Sequence, residues 1–495
     1  MRLDEARPGI PRVPSGIDGF DLISFGGMPA NRCMLVAGTA GVGKTIFALQ
    51  FLLTGIFGRG ETGVLVTFEE TPSDLAENVE AFGWAVGDLA QAKRLAIVDA
   101  TADETPADEV GPFELDPLIA RIRAAVEEVG ADRVVLDSIG ALLALFGDNG
   151  RVRRELRRVV SAVRQMGVTT IITAERTEDY GPIARHEVEE FVVDGVILLR
   201  HQLEGQRRRR TLEIVKMRGG NHRKGEFPYS IEGGTGFSVI PLSAVELEKS
   251  ASRNRKTVGN PGVDGMLGGG PYGDSIILVS GPTGTGKTLL STEFMRPVVE
   301  RGERGIYITF EESRDQLARN AAGWGVDLGA AITGGQLDVL ALYPERIGLE
   351  DLLVALRRTI RRRRPDRLVI DSLSALERIS SDRAYREFVV GLITALKEAE
   401  VLAMMTNTAS TLVGGDTVTE TYVSTLTDAI VLLRYVEMEG EVRRALAVIK
   451  LRGSSHDHTI REFAISDRGM TIGEPLRRLS GFLTGQPDDP PAGAR

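Results

Sequence analysis

The chain has 495 residues, with 60 Lys plus Arg against 69 Asp plus Glu and a formal charge of −9. Its composition of 42% hydrophobic and 26% charged residues supplies enough apolar material for sizeable cores and excludes wholesale disorder; at about 150 residues per domain, the length allows two large domains or three smaller ones. The acidic balance argues against a general nucleic-acid coat, and the single cysteine, Cys33, excludes an intramolecular disulfide framework and a multi-cysteine metal site.

The opening MRLDEARPGIPRVPSG contains acids and no apolar run, unlike a secretory signal. No stretch approaches the roughly 18 consecutive apolar residues of a membrane span, so a soluble cytoplasmic protein is expected. MLVAG at 34–38 is a short β-prone run that ends in glycine and leads through a Gly-rich loop into the helix-like IFALQFLLTGIF. GVLVTF, RVVLDS, TTIITAE and GVILLR follow as buried strands with amphipathic segments between them. The polar stretch PLSAVELEKSASRNRKT at 241–257 interrupts the pattern. The order then restarts with IILVSG at 276–281 and a helix-like LLSTEFMRPVVE. Alternating strands and helices predict an α/β fold, a mostly parallel sheet covered on both faces.

The restart is a duplication. GTAGVGKT at 38–45 recurs as GPTGTGKT at 281–288, VTFEE at 66–70 as ITFEE at 308–312, VVLDSIGAL at 134–142 as LVIDSLSAL at 368–376, and VKMRGGNH at 215–222 as IKLRGSSH at 449–456. The order is kept and the offset is nearly constant at about 240 residues, too long for a solenoid repeat. The expected domains are 1–247 and 248–483, with a short Pro-, Gly- and Asp-rich tail at 484–495.

GxxxxGK[ST] after a strand and before a helix is the phosphate loop, whose backbone N–H groups and helix N-terminus bind phosphate. It assigns Gly41, Val42, Gly43, Lys44 and Thr45, and Thr283, Gly284, Thr285, Gly286, Lys287 and Thr288, to ATP. Lys44 and Lys287 would reach the β- and γ-phosphates, and the Thr45 and Thr288 hydroxyls would meet Mg2+. Asp137 and Asp371 close apolar strands and can hold the metal's ligand shell. Glu69, Glu70, Glu311 and Glu312 end β-prone runs. Because adjacent strand residues face opposite ways, one of each pair can act as general base or metal ligand while the other supports it. Lys216 and Arg218, and again Lys450 and Arg452, are expected to point together from a strand. They would either complete a neighbouring subunit's site or form a salt-bridged surface. RRRR at 207–210 and at 361–364 could contact nucleic acid, but without interleaved aromatics solvated faces or subunit contacts are preferred. The five histidines form no zinc pattern; His222 and His456 are nearer to a nucleotide role.

Together, GTAGVGKT with FEE, GPTGTGKT with FEES, and the strings FEETPSDL, ERTEDYGPIAR, LEGQRRRRTLEI, DSIILVSG, DSLSAL and IREFAISDRG resemble the KaiC family of circadian clock proteins, from about residue 12 to residue 484. The resemblance implies two tandem RecA-like P-loop NTPase domains in a double-ring homohexamer, with ATP and Mg2+ between subunits. It implies a slow ATPase in the N-terminal ring and a serine/threonine autokinase and autophosphatase in the C-terminal ring. In TETYVSTLTDAI at 419–430 it makes Ser424 and Thr425 the phospho-acceptors and Thr419 a transient one. By the same resemblance Glu69 acts through water and Glu311 accepts the acceptor proton and, with Thr45 and Thr288, contacts magnesium. Lys216, Met217, Arg218 and His222 would contact nucleotide in the N-terminal ring. Trp324, Arg444, Lys450, Leu451, Arg452, Gly453 and Ser454 would do so in the C-terminal ring. Ala81 departs from the serine that the family often has near the N-terminal nucleotide. The ending QPDDPPAGAR is not expected to supply a KaiA-binding peptide, whereas a KaiB-like partner on the N-terminal ring is expected. A DNA-dependent motor and a nucleotide-gated scaffold without kinase activity are the rival readings.

Overall fold

A computed structural model describes residues 10–101, 115–143, 149–185, 189–204, 207–241, 252–408, 423–438, 440–476 and 482. Thr419, His186 and the tail at 484–495 lie outside them. The chain divides into two compact units, Met1–Val245 and Glu246–Arg495.

Each unit is built on a nine-stranded sheet. In the first, Leu95–Asp99, Gly63–Thr67, Arg133–Asp137, Thr169–Glu175, Cys33–Gly38 and Gly195–Glu204 lie side by side and parallel. Arg207–Met217, Glu226–Glu232 and Gly236–Val239 extend the sheet antiparallel. The second unit repeats this order. Leu337–Ala341, Gly305–Thr309, Arg367–Asp371, Leu402–Asn407, Ile276–Ser280 and Ala429–Met438 are parallel. Glu441–Leu451, Arg461–Ser466 and Gly469–Pro475 are antiparallel.

Both faces of the first sheet are covered, which is why its strands read as continuous apolar runs. Cys33, Leu35 and Ala37 point into one core with Leu118, Ile122 and Val126 of the helix Asp116–Val129. Met34 and Val36 point into the other, with Phe47 and Phe51 of the helix Lys44–Arg59. In the second unit the segment after the phosphate loop is not one helix. It breaks into Lys287–Phe294 and Arg296–Arg301, because Pro297 has no N–H to donate and its ring crowds the preceding turn.

One buried pair recurs in both units. Arg133 is 1% exposed, donates through Nε to Glu61 at 2.5 Å and through Nη1 to the Phe51 carbonyl at 2.7 Å, and stacks on the Phe51 ring. Arg367 is fully buried and pairs likewise with Glu303 at 2.7 Å, with the Phe294 carbonyl at 2.5 Å and with the Phe294 ring. Gly55 makes room: a Cβ there would sit 2.3 Å from Arg133 Nε. Each arginine begins the strand that ends in Asp137 or Asp371, so the pair fixes the strand that carries an acid to the site.

Candidate functional site

The strand Cys33–Gly38 runs into the loop and then the helix Lys44–Arg59; Ile276–Ser280 does the same before Lys287–Phe294. Gly43 and Gly286 occupy the cap positions at φ 94° and 103°, a left-handed conformation that a side chain would strain. That turn aims the first N–H groups of the helix into the loop. Lys44 Nζ donates to the carbonyls of Gly38 at 3.2 Å and Thr39 at 3.1 Å. Lys287 Nζ donates to Gly281 at 2.7 Å and Pro282 at 2.9 Å. Burial lowers the pKa of both ammonium groups, opposed by Glu175, Asp137 and Glu69 around Lys44 and by Asp371 and Glu311 around Lys287. Each lysine is a desolvated cation with acids near it, suited to anionic phosphate.

Asp137 and Asp371 reach the same end of the parallel strands as the loops. Thr173 Oγ1 donates to Asp137 Oδ1. Thr406 Oγ1 donates to Asp371 Oδ1 at 2.5 Å, and Tyr307 adds a second donor to Oδ2 at 3.2 Å. The acid pairs lie one step beyond their strands. Gly63–Thr67 and Gly305–Thr309 end before them, and the next helices start at the capping residues Thr71 and Ser313. Strand alternation therefore does not orient them, contrary to the sequence expectation; a bend between strand and capped helix does. The pairs still divide. Glu69 Oε1 accepts from Ser138 at 2.8 Å, and Glu70 Oε2 from Asn78 at 3.3 Å. Glu311 Oε1 lies 3.5 Å from Ser372 Oγ, and Glu312 Oε1 accepts from Asn320 at 3.0 Å. Burial, Asp371 and Glu311 push the Glu312 pKa up, against the Asn320 bond, and its Oε2 is buried without a hydrogen-bond partner. Ser138, Ser372, Asn78 and Asn320 escaped the sequence reading. The signal was present: both units carry DS after the apolar strand and an Asn eight residues beyond the second Glu.

The K-x-R-G elements lie at the opposite end of the strands. Leu451 pairs with Ala429, and Ala429 with Ile277 at the start of the phosphate-loop strand. Met217 pairs with Gly195, and Gly195 with Met34. Four residues at about 3.3 Å each separate Ile277 from Gly281, roughly 13 Å. Arg218 and Arg452 fall in turns just past their strands, so strand alternation does not pair either with its lysine as expected. Lys216 Nζ donates to the carbonyls of Glu190 at 2.8 Å and Val193 at 2.9 Å; Lys450 Nζ donates to Ser424 and Thr427, both at 2.7 Å. Met217 and Leu451 are buried and can meet a nucleotide only through their backbones. His222 Nδ1 contacts the Arg223 carbonyl at 3.1 Å. Beyond Lys450, the Tyr272 hydroxyl donates to the Gly453 carbonyl at 3.4 Å, and Arg255 donates to Ser454. Arg444 lies over the Tyr435 ring. Trp324 packs on the second unit's core, and Ala81 caps its helix and accepts from Gly234 N at 3.3 Å.

The arginine runs have partners within the chain. Arg208 donates to the His201 carbonyl at 3.0 Å, and Arg363 pairs with Asp338 at 2.6 Å. Among the described residues no helix is long and apolar enough to cross a membrane. No group of three or more His, Cys, Asp or Glu among them is placed to hold a metal by itself. The oxygen-rich set of Asp371, Glu311 and Glu312, with one buried unpartnered carboxylate oxygen, nonetheless fits Mg2+, which takes one or two protein carboxylates and completes its shell with phosphates and water.

Two phosphate loops, each with an acid at the end of the next strand but one on a mostly parallel sheet, define a tandem RecA-like P-loop ATPase. The family model "ATPase: KaiC" matches residues 13–244 and again 257–477. The chain is 49% identical over 488 residues to the "Circadian clock protein KaiC3" of Synechocystis sp., covering 98% of this chain and 96% of that one. It is 46% identical over 478 residues to the "Circadian clock oscillator protein KaiC" of Synechococcus elongatus (97% and 92%). It is 44% identical over 484 residues to that of Thermosynechococcus vestitus (98% and 93%). The chain belongs to the KaiC family and is a KaiC-like, ATP-binding ATPase.

Proposed function

We propose that the first unit hydrolyses ATP and that the second transfers the γ-phosphate of ATP to Ser424 or Thr425 of another copy of the chain and later removes it. One observation carries this reading: Ser424 and Thr425 sit with K-x-R-G at the end of the central strands opposite their own phosphate loop. The donor nucleotide must therefore belong to a neighbour, which calls for a ring. In the transfer, the acceptor oxygen forms a bond to the γ-phosphorus and gives its proton to Glu311. The bond from phosphorus to the β–γ bridging oxygen breaks, and ADP leaves with that electron pair. Mg2+ held by Thr288 and Glu311 would neutralise charge on the phosphates; Thr45 would serve in the first unit. Lys287 and the loop N–H groups hold the phosphates in place, with Asp371 beside them. In the first unit Glu69, oriented by Ser138, would position water instead.

The two units differ where this division needs them to. Counting back from the paired residues Gly195 and Ala429, Glu190 and Phe191 occupy the places of Ser424 and Thr425, so only the second unit offers hydroxyls. The reading includes a cytoplasmic double-ring homohexamer, either a timing role, in line with the names of the relatives, or a stress-signalling one, and a KaiB-like partner on the first unit's ring.

Mixing two variants tests it. Lys287→Ala chains lack a working donor loop in the second unit, and Ser424→Ala/Thr425→Ala chains lack acceptors. Intact-mass spectrometry after co-assembly with Mg-ATP is expected to show phosphate on the Lys287→Ala chains, and none when either variant is alone. Phosphate absent from the mixture, but present on wild type, would overturn transfer between copies. Phosphate absent from wild type would remove the kinase and leave a ring ATPase.

A further inference from the structure

We propose that Lys450 and Arg452 are positioning residues for the acceptor segment, and that they divide the work: Lys450 fixes the turn that carries both hydroxyls, and Arg452 fixes the backbone of Thr425. This rests on the transfer reading above and adds to it how the acceptors are held.

Residues 423–426 form a single helical turn, whose last carbonyls have no intrahelical partners. Lys450 Nζ caps two of the local carbonyls, Ser424 and Thr427, at 2.7 Å each, where a cation also meets the negative end of the turn. An ammonium has three N–H groups, so one remains for a phosphate oxygen. Arg452 Nη2 donates to the Thr425 carbonyl, and its Nη1 lies 3.8 Å from Asp428 Oδ1. Asp428 is itself anchored: its Oδ2 accepts from Lys397 at 2.6 Å and from the Ile276 N–H at 2.9 Å. The acceptor turn is thus tied to the start of the central strand rather than left as a loop. Ser424 is half-buried and Thr425 exposed within this frame.

The first unit serves as an internal control. Lys216 holds the Glu190 and Val193 carbonyls. Asp194 is anchored by Arg164 at 2.6 Å and by the Cys33 N–H at 3.1 Å. The lysine grip and the anchored aspartate recur in both units, while the presented side chains change from hydroxyls to Glu190 and Phe191. A grip that persists without acceptors belongs to the fold; its use for transfer comes from the residues placed in it.

The test combines hydrogen exchange and phosphosite mapping on the full-length chain. Without nucleotide, Lys450→Met is expected to speed exchange in the peptide spanning 423–428 roughly tenfold, the loss of two charge-assisted hydrogen bonds at a half-exposed site. The 189–194 peptide should not change. Lys216→Met should do the reverse. With Mg-ATP, Arg452→Ala is expected to lower phosphate on Thr425 at least fivefold more than on Ser424, and Arg452→Lys should restore part of the ratio. Unchanged exchange in Lys450→Met overturns the clamp. An equal fall at both hydroxyls in Arg452→Ala overturns the division of work. If wild type carries no phosphate but the exchange result holds, the transfer reading fails and the clamp stands.

Discussion

Glu69 and Glu311, the glutamates proposed as catalytic, are held unequally, and the difference sets a measurable asymmetry between the units. Ser138 is buried, and its hydroxyl donates to Glu69 at 2.8 Å. Ser372 is equally buried, but its hydroxyl stands 3.5 Å from Glu311, where a hydrogen bond is already weak. A hydrogen bond to a charged group contributes about 1.5–3 kcal/mol. Glu69 is exposed, so water replaces part of that bond when the serine is removed, leaving about 1 kcal/mol of lost orientation, or roughly fivefold in rate. Ser138→Ala should therefore slow ATP hydrolysis in the first unit about fivefold, while Ser372→Ala changes turnover in the second by less than about twofold. Initial rates on the full chain separate the two, with Lys287→Ala silencing the second unit in one series and Lys44→Ala the first in the other. Equal losses, or a larger loss in Ser372→Ala, would refute the assignment of Ser138 as the residue that orients Glu69.

Three further expectations follow from buried charge. Arg367→Met removes one partner of a buried pair. With Glu303 still partly hydrated, the cost should be about 3 kcal/mol, read as a lower calorimetric midpoint for the second unit. Arg367→Met/Glu303→Leu should recover most of it, and a single-variant loss below about 1 kcal/mol would show that the pair is not what fixes this strand. The raised Glu312 pKa means that the folded chain binds a proton more tightly than the unfolded chain. Stability without nucleotide should thus fall as pH rises through the window between the ordinary carboxylate value and the raised one. Glu312→Gln should melt higher than wild type at neutral pH, by about 2–4 °C per kcal/mol recovered, with the gap closing as the pH drops through that window; a gap that does not depend on pH would rule out the charge as the cause. Finally, Lys44→Ala and Lys287→Ala should each remove one of the chain's two ATP sites by equilibrium dialysis, and two sites remaining in either variant would disprove the loop assignment.

Much of the fold was legible because duplicated phosphate loops and apolar strands with both faces buried leave strong local marks. The phosphate-loop glycines were readable for the same reason: a left-handed turn before a helix admits little else. The orientation of the acid pairs was not, because it depends on where Gly63–Thr67 and Gly305–Thr309 stop, a boundary set by the capped helices that follow rather than by the strands. Nor was the Arg133–Glu61 and Arg367–Glu303 pairing. Buried arginines look like surface residues in a sequence, and only the carbonyls and rings of Phe51 and Phe294 make these positions tolerable. The K-x-R-G cations were recognised as important. What they grip was hidden, since their partners are backbone carbonyls, which carry no residue identity.

Under the proposed reading, the duplication also explains how one fold would keep two chemistries apart. A second copy of a phosphate loop would by itself only double the ATPase. What separates the units is a few side chains on a shared frame: Tyr307 adds a hydroxyl to Asp371, Glu312 carries a raised pKa beside it, and Ser424 and Thr425 stand where Glu190 and Phe191 stand in the first unit. None of these alters a strand or its register, so each could change without unfolding the sheet. Because the proposed acceptor turn and the phosphate loop lie at opposite ends of the strands of one sheet, no small motion within a chain brings them together. The proposed phosphate transfer then requires a neighbour, and under that reading the phosphorylation state of one chain would report on the nucleotide held by the next. Phosphate on either acceptor would add about −1.5 to −2 charges beside Lys450 and Arg452, so the product of the reaction is placed on the side chains that hold its substrate.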